Sequence, residues 1–329
     1  MQADVMELVA GIDLGGTDTK FGLVNRKGDL FAYRSIPTNP DLEHEEFFNL
    51  LAYQLKEMLN SLEGNFTLAG ISVGAPTGSE SRGTIDDASN LNWPRKLPIR
   101  EILHSIFGLP VTVSNDANAA AVGEMLYGAA KHHKNFICIT LGTGLGSGIV
   151  SNGQLILGTH GHAGELGHIT AVHNGRQCSC GRKGCLETYV SARGIIQTVL
   201  DADPGELKKS LLNPHVNGEL TAEIITKAAG EGDELALRAF DYTGKILGKK
   251  LADTVAILNP ELIILTGGVS QAGDLILNPT KKYMDEHLLD IYKGSVELKI
   301  SEMASKKTTI LGVAAFMWLK LDKQKMQSA

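Results

Sequence analysis

Nowhere in its 329 residues does the chain hold a run of about 18 apolar residues, so it offers a bilayer no spanning helix. Its first residues lack a basic stretch followed by an apolar one, so no secretory leader is read and the setting is expected to be cytoplasmic. Excess positive charge is also missing. There are 31 basic against 37 acidic residues, a net charge of −6. The only basic clusters are short, at Lys131-His132-His133-Lys134 and Lys249-Lys250. Neutralising nucleic-acid phosphates takes clustered Lys and Arg, so neither nucleic acid nor membrane is expected as a partner. Cysteine is scarce as well: there are four. Cys178, Cys180 and Cys185 crowd together, where a disulfide framework would spread them out, and Cys138 stands alone in an apolar run as a core residue. Low-complexity and linker-like segments are absent.

What is present suits an α/β protein. Apolar residues make up 43%, and the length is comfortable for two domains. Val9 to Leu14 reads as a strand, broken by Gly15-Gly16-Thr17 and resumed from Phe21 to Val24. Phe136 to Leu141 meets Gly142-Thr143-Gly144 and resumes at Ile149-Val150. The repeated pattern of strand, Gly-Thr turn and strand suggests a duplicated α/β unit. Apolar spacing predicts a helix over Glu43 to Leu62, a small-residue helix over Ala119 to Ala130, a long helix over Glu234 to Leu258 and a last one over Thr309 to Leu321. Strands are predicted at Leu68 to Val73, Val111 to Val113 and Glu261 to Thr266.

Both glycine turns suit phosphate. Without Cβ atoms the backbone can approach a ligand, and successive N–H groups make an anion-binding hollow. Thr17 and Thr143 add hydroxyl donors. Neither turn has the Walker spacing, and each opens into a strand where a Rossmann turn opens into a helix. Asp13 stands just before the first turn and could hold Mg²⁺ through water. Asp116 lies between a strand and a helix, where an isolated Asp is usually a helix cap. With Asn115 and Asn118 around it, it can instead accept a proton from an attacking hydroxyl. The third cluster, Glu165-Leu166-Gly167-His168 followed by Cys178-Ser179-Cys180 and Gly184-Cys185-Leu186-Glu187, is the sharpest. Three thiolates and one imidazole complete a closed, structural zinc shell, with no position for an activated water.

With these pieces the chain resembles the ROK family of repressors, open reading frames and kinases, its glucokinases most of all. The matching stretches are Asp13 to Thr17, Asn115 to Asn118, Gly142 to Gly144, Glu165 to His168 and Cys178 to Glu187. The resemblance implies an actin-like ATPase, ribonuclease H-like fold of two α/β domains around a cleft. Residues 1–117 form the first, completed by a C-terminal helix over 309–329, and residues 118–308 form the second, carrying the zinc loop. It implies ATP-dependent phosphorylation of a hexose, with Asp116 as general base. It implies that Asn90, Asn115, Asp116, Glu165, His168 and Glu187 hold sugar hydroxyls. The nucleotide falls to Asp13, Gly15, Gly16, Thr17, Lys20, Gly142, Thr143, Gly144, Gly267 and Gly268. Zinc falls to His168, Cys178, Cys180 and Cys185, so that His168 serves metal and sugar with its two ring nitrogens. ATP, Mg²⁺ and structural Zn²⁺ are the implied cofactors, and a homodimer the implied assembly.

One departure bears on the sugar. Relatives commonly read Gly-Ala-Pro-Gly where this chain has Gly74-Ala75-Pro76-Thr77-Gly78. Glucose leads, with N-acetylmannosamine, N-acetylglucosamine, fructose and allose as alternatives. The family's repressors carry a DNA-binding helix-turn-helix ahead of the first motif. Here that motif begins near residue 11, so the sequence reading expects no such domain and favours the kinase.

Overall fold

The computed structural model describes residues 5–39, 41–86, 93–303 and 308–328. The chain divides into two compact units. The first joins Met1–Lys131, Leu157–His162 and Ser305–Ala329, and the second His132–Ile156 and Ala163–Ala304.

In chain order the first unit holds β1 (Met6–Leu14), β2 (Asp18–Val24), β3 (Leu30–Pro37), α1 (His44–Asn60), β4 (Phe66–Gly74), β5 (Gly78–Ser79), β6 (Thr84–Asp86), β7 (Lys96–Leu97), α2 (Ile99–Phe107), β8 (Val111–Ser114) and α3 (Asp116–Tyr127). The second holds β9 (Phe136–Leu141), β10 (Leu145–Ser151), β11 (Gln154–Leu155), α4 (Glu187–Val190), α5 (Ala192–Leu200), α6 (Pro204–Lys209), α7 (Ala222–Gly230), α8 (Glu234–Leu258), β12 (Leu262–Thr266), α9 (Asp274–His287) and β13 (Glu297–Ile300). The C-terminal helix α10 (Thr308–Ser328) returns to the first unit.

The two main sheets share one topology. The first runs β3-β2-β1-β4-β8 and the second β11-β10-β9-β12-β13. In each, the first three strands form an antiparallel meander and the last two lie parallel to the first strand. This is a duplicated ribonuclease H-like unit. The parallel strands are covered on both faces, which is why they read as unbroken apolar runs such as Leu262 to Leu265. In the first unit Phe47, Phe48, Leu51 and Leu55 of α1 pack against Ile71 and Val73 of β4 within one core. A second core holds Ile137, Ile139, Ile263 and Leu265 with Leu247 and Leu251 of α8.

Close approach explains why α10 belongs to the first unit. A Cβ on Gly11 would lie 2.7 Å from the Ile310 carbonyl oxygen, and one on Gly74 would lie 2.6 Å from the Val313 side chain. Glycines on β1 and β4 thus open a seat for the helix. On its far side Gly312 lies so close to α3 that a Cβ would stand 2.6 Å from the Ala119 oxygen. That packing keeps α3 with the first unit, whereas the sequence boundary at 117 put it in the second. The helix also begins earlier than its apolar spacing suggests, at Asp116 and not Ala119.

Candidate active site

In the first unit, β1 delivers Asp13 to the edge of the Gly15–Thr17 hairpin. Gly15 N–H donates to the Asp18 carbonyl at 3.2 Å, closing the turn, and Gly16 and Thr17 are exposed at its tip. Lys20, on β2, is registered directly opposite Asp13. Burial pushes the Asp13 carboxyl up to about 6; Lys20 works against the rise and the nearby Asp116 carboxylate adds to it. The two acids therefore feel each other within one unit.

Asp116 opens α3, directly after β8. Asn115 caps the helix by accepting from the Asn118 N–H at 2.7 Å, so Asp116 itself is not the cap. Its side chain is open to solvent. Desolvation by the surrounding protein still holds its carboxyl above the ordinary value, opposed by a hydrogen bond from its own backbone N–H.

Side chains close the outer edge of β8. Glu80 Oε2 accepts from Val113 N–H at 2.8 Å, and Lys320 Nζ donates to the Val111 carbonyl at 3.2 Å. Arg100 pairs with Glu80 at 3.0 Å. Polar side chains thus do what a sixth strand would do, two residues before Asn115. The Gly74–Gly78 turn abuts the same strand end: Ala75 N–H donates to the Ser114 carbonyl at 3.0 Å. A Cβ on Gly78 would lie 2.3 Å from that oxygen. Asn90 lies outside the described residues.

In the second unit the Gly142–Gly144 turn joins β9 to β10, closed by Gly142 N–H donating to the Gly144 carbonyl at 3.0 Å. Thr143 is exposed at its tip. Gly267, at φ 93°, sits against the Leu141 backbone, where a Cβ would lie 2.6 Å from the Leu141 oxygen. The Gly267–Gly268 turn and the Gly142 turn are therefore neighbours, as two parts of one nucleotide seat would have to be. Glu187 joins them from α4. Its Oε2 accepts from Leu145 N–H at 2.9 Å, and a Cβ on Gly144 would lie 2.4 Å from that oxygen. A cavity of about 530 Å³ opens beside Thr143, Gly144 and Glu187, walled by Arg193 and Gln197 of α5 and by Asp201 just after it.

The donor atoms of His168, Cys178, Cys180 and Cys185 all lie within 4.8 Å of one another. Cys178 Sγ is 3.6 Å from His168 Nδ1, and Cys180 Sγ is 3.6 Å from Cys185 Sγ. A tetrahedral zinc with Zn–S of about 2.3 Å and Zn–N of about 2.0 Å sets edges of roughly 3.6–3.8 Å, which these two pairs match, and the donor set of three thiols and one imidazole suits that ion. Nδ1 is the nitrogen on the sulfur side. Nε2 faces away, 3.9 Å from Glu165 Oε2, which leaves it and the exposed Glu165 carboxylate for another ligand. The other ring nitrogen of a zinc-bound His regularly takes such a partner.

The ROK family model matches residues 9–320. The chain belongs to the ROK family. Among its ROK relatives, a glucokinase of Halalkalibacterium halodurans is 38% identical over 306 residues, 92% of each chain. A crystal structure of a ROK family glucokinase from Streptomyces griseus, in complex with glucose and AMPPNP, superposes with a TM-score of 0.75 at 31% identity, covering 94% of this chain and 98% of that one. A xylose repressor of Caldicellulosiruptor bescii is 29% identical over 94% of this chain and 77% of its own length. The fold is that of the actin-like ATPases, in the form ROK sugar kinases give it.

Sequence reasoning missed Glu80, which acts on Val113 far along the chain, and a lone acid in a polar loop carries no local signal.

Proposed function

We propose that the protein is an ATP-dependent hexokinase that converts glucose and ATP to glucose 6-phosphate and ADP. The observation that carries the reading is a carboxylate, Asp116, at a strand-to-helix junction beside the capping Asn115, in a chain that also holds two glycine turns after buried strands. Likeness to glucokinases over nearly the whole chain supports it. Asp116 takes the proton of the attacking sugar hydroxyl as its oxygen bonds to the γ-phosphorus. The bond to the bridging oxygen breaks, and ADP leaves. Asn115, Glu165, His168 Nε2 and Glu187 orient the sugar by accepting from or donating to its hydroxyls, and Asn90 is proposed with them. The Gly15–Thr17 and Gly142–Gly144 turns offer N–H groups and hydroxyls to the phosphates, Lys20 a positive charge, and Gly267 and Gly268 a flat approach for the nucleoside. Mg²⁺ supplies charge neutralisation when bound, and Asp13 is the carboxylate proposed for it. Zinc supplies folding of the loop between His168 and Glu187, held by His168, Cys178, Cys180 and Cys185. The setting we propose is a cytoplasmic homodimer, without nucleic acid or membrane.

Likeness to a xylose repressor favours a second reading, a sugar sensor without catalysis. An ADP-release assay across a panel of hexoses separates the two. Glucose-dependent ADP release is the expected result, and release that no hexose stimulates would reject the kinase.

A further inference from the structure

Arg176 stands two residues before the first zinc-loop cysteine, and its side chain is only 18% exposed. It reaches away from the loop. One guanidinium nitrogen donates to the Thr188 carbonyl at 2.9 Å and the Gly194 carbonyl at 3.0 Å. Another donates to Thr198 Oγ1 at 3.1 Å and Asp201 Oδ2 at 2.8 Å. The plane lies over the Tyr189 ring, 4.7 Å from its centre, and the Arg176 backbone N–H donates to the Tyr189 hydroxyl at 2.8 Å. Two carbonyls, a hydroxyl, a carboxylate and a ring face are thus served by one rigid fork, which a lysine ammonium cannot reproduce.

These partners frame Glu187. Thr188 follows it, Tyr189 lies in the same helix, and Gly194 and Thr198 lie on α5. From the opposite side the same elbow is joined to the glycine turn: Glu187 accepts from Leu145 N–H, and Ala192 N–H donates to the Gly142 carbonyl at 2.8 Å. Gly194 allows the tight elbow, since a Cβ there would lie 2.6 Å from the Tyr189 backbone. The α4–α5 elbow is therefore held between the glycine turn and the zinc loop, and Arg176 is the side chain that fastens the second side.

We infer that Arg176 is a positioning residue that holds Glu187 in place against the Gly142–Gly144 turn. The inference rests on the proposed role of Glu187 in sugar binding. An arginine that merely stapled the fold would change stability and leave sugar affinity alone. The test uses the full-length, zinc-loaded protein and Arg176→Met, which keeps apolar cover on Tyr189 and removes the donors. Bound zinc is measured, glucose and AMPPNP are titrated separately by calorimetry, and kcat and KM follow from ADP release. The variant is expected to keep one zinc per chain and to bind glucose roughly tenfold more weakly, the size of one or two polar contacts. Its KM for ATP should change less than its KM for glucose. Zinc retained with a glucose Kd within about threefold of wild type would overturn the inference. Should Arg176→Met lose its metal, Arg176→Lys decides: zinc retained with weakened glucose binding supports it, and zinc retained with unchanged binding overturns it. Metal loss in both variants also overturns it, because the arginine would then be serving the loop alone. Wild-type protein that turns over no hexose would count against the kinase reading instead, and that result precedes any variant.

Discussion

Asp13 is a carboxylate kept where carboxylates are costly, and removing its charge should stabilise the protein. Burial raises its pKa from 3.8 to about 6, with the attraction of Lys20 already included in that value. In the folded chain the proton is held more tightly than in the unfolded one. Between the unfolded and folded pKa values the native state thus carries more protons, and stability falls as pH rises through that window. A shift of about two units at about 1.4 kcal/mol each amounts to about 3 kcal/mol above pH 6. This is a ceiling, because Asp13 keeps some access to solvent and water screens part of the cost. Asp13→Asn has nearly the same shape and no charge, and it also relieves Asp116 of a neighbouring anion. Its stability gain should be near zero at about pH 4, grow up to about pH 6, and then level off. At neutral pH the unfolding midpoint of the first unit should rise by on the order of 5–10 °C. Thermal denaturation of both proteins from about pH 4 to about pH 8 measures this. A variant no more stable than wild type at neutral pH, or a gain that does not vary with pH, would refute the reasoning. The variant should also lose turnover.

Asp116→Asn should lower kcat by about 10²- to 10⁴-fold while glucose binding survives, because an amide still hydrogen-bonds a hydroxyl; turnover within about threefold of wild type would place the base elsewhere. Since Asp116 must be ionised to accept a proton and its pKa is raised, the acid limb of wild-type kcat/KM should lie above the ordinary carboxylate range, activity falling as pH drops. Cys180→Ser should lose zinc by metal analysis and weaken glucose binding by calorimetry, through His168 and the loop that leads to Glu187; metal-free protein with normal glucose affinity would rule that route out.

How far the sequence could be read depended on the range of the interactions involved. The doublets Val9–Val24 and Phe136–Val150 were legible because each packs strand, glycine turn and strand into one short window. The strand-to-helix junction at Asp116 was legible because its polar neighbours Asn115 and Asn118 surround it in sequence, and the clustering of Cys178, Cys180 and Cys185 with His168 because thiol spacing is itself a signal. Helix α9 was not foreseen. It carries Pro279 in its interior, which argues against a helix, and its packing is long-range: the proline ring seats against Gly244 of α8, where a Cβ would lie 2.7 Å from it. Glu80 and Arg176 were illegible for the same reason. Glu80 closes a strand edge at Val113 together with Lys320, and Arg176 reaches Thr198 and Asp201. Those contacts exist only once the chain has folded.

The duplication lets the cost of the site be read by comparing its two copies. Strand, glycine turn and strand align Asp13-Leu14-Gly15 with Thr140-Leu141-Gly142. In the second copy the position before the turn is a neutral threonine, whose Oγ1 accepts from Gly146 N–H at 3.2 Å and so braces the turn from within. In the first copy it is a half-buried acid facing a lysine and a second acid. Turn geometry alone is served by the hydroxyl, at no electrostatic cost, so geometry does not require Asp13. A residue that spends up to about 3 kcal/mol of a marginal folding free energy is retained where something outside the fold needs its charge. The phosphate side of the proposed reaction supplies that need, since a cation drawn to Asp13 would lower the pKa that burial raised. The second copy holds its turn against Glu187 through the Leu145 N–H and has no carboxylate at that position. The two copies of one supersecondary unit thus differ where it matters electrostatically, with a costly carboxylate at Asp13 and a neutral hydroxyl at Thr140.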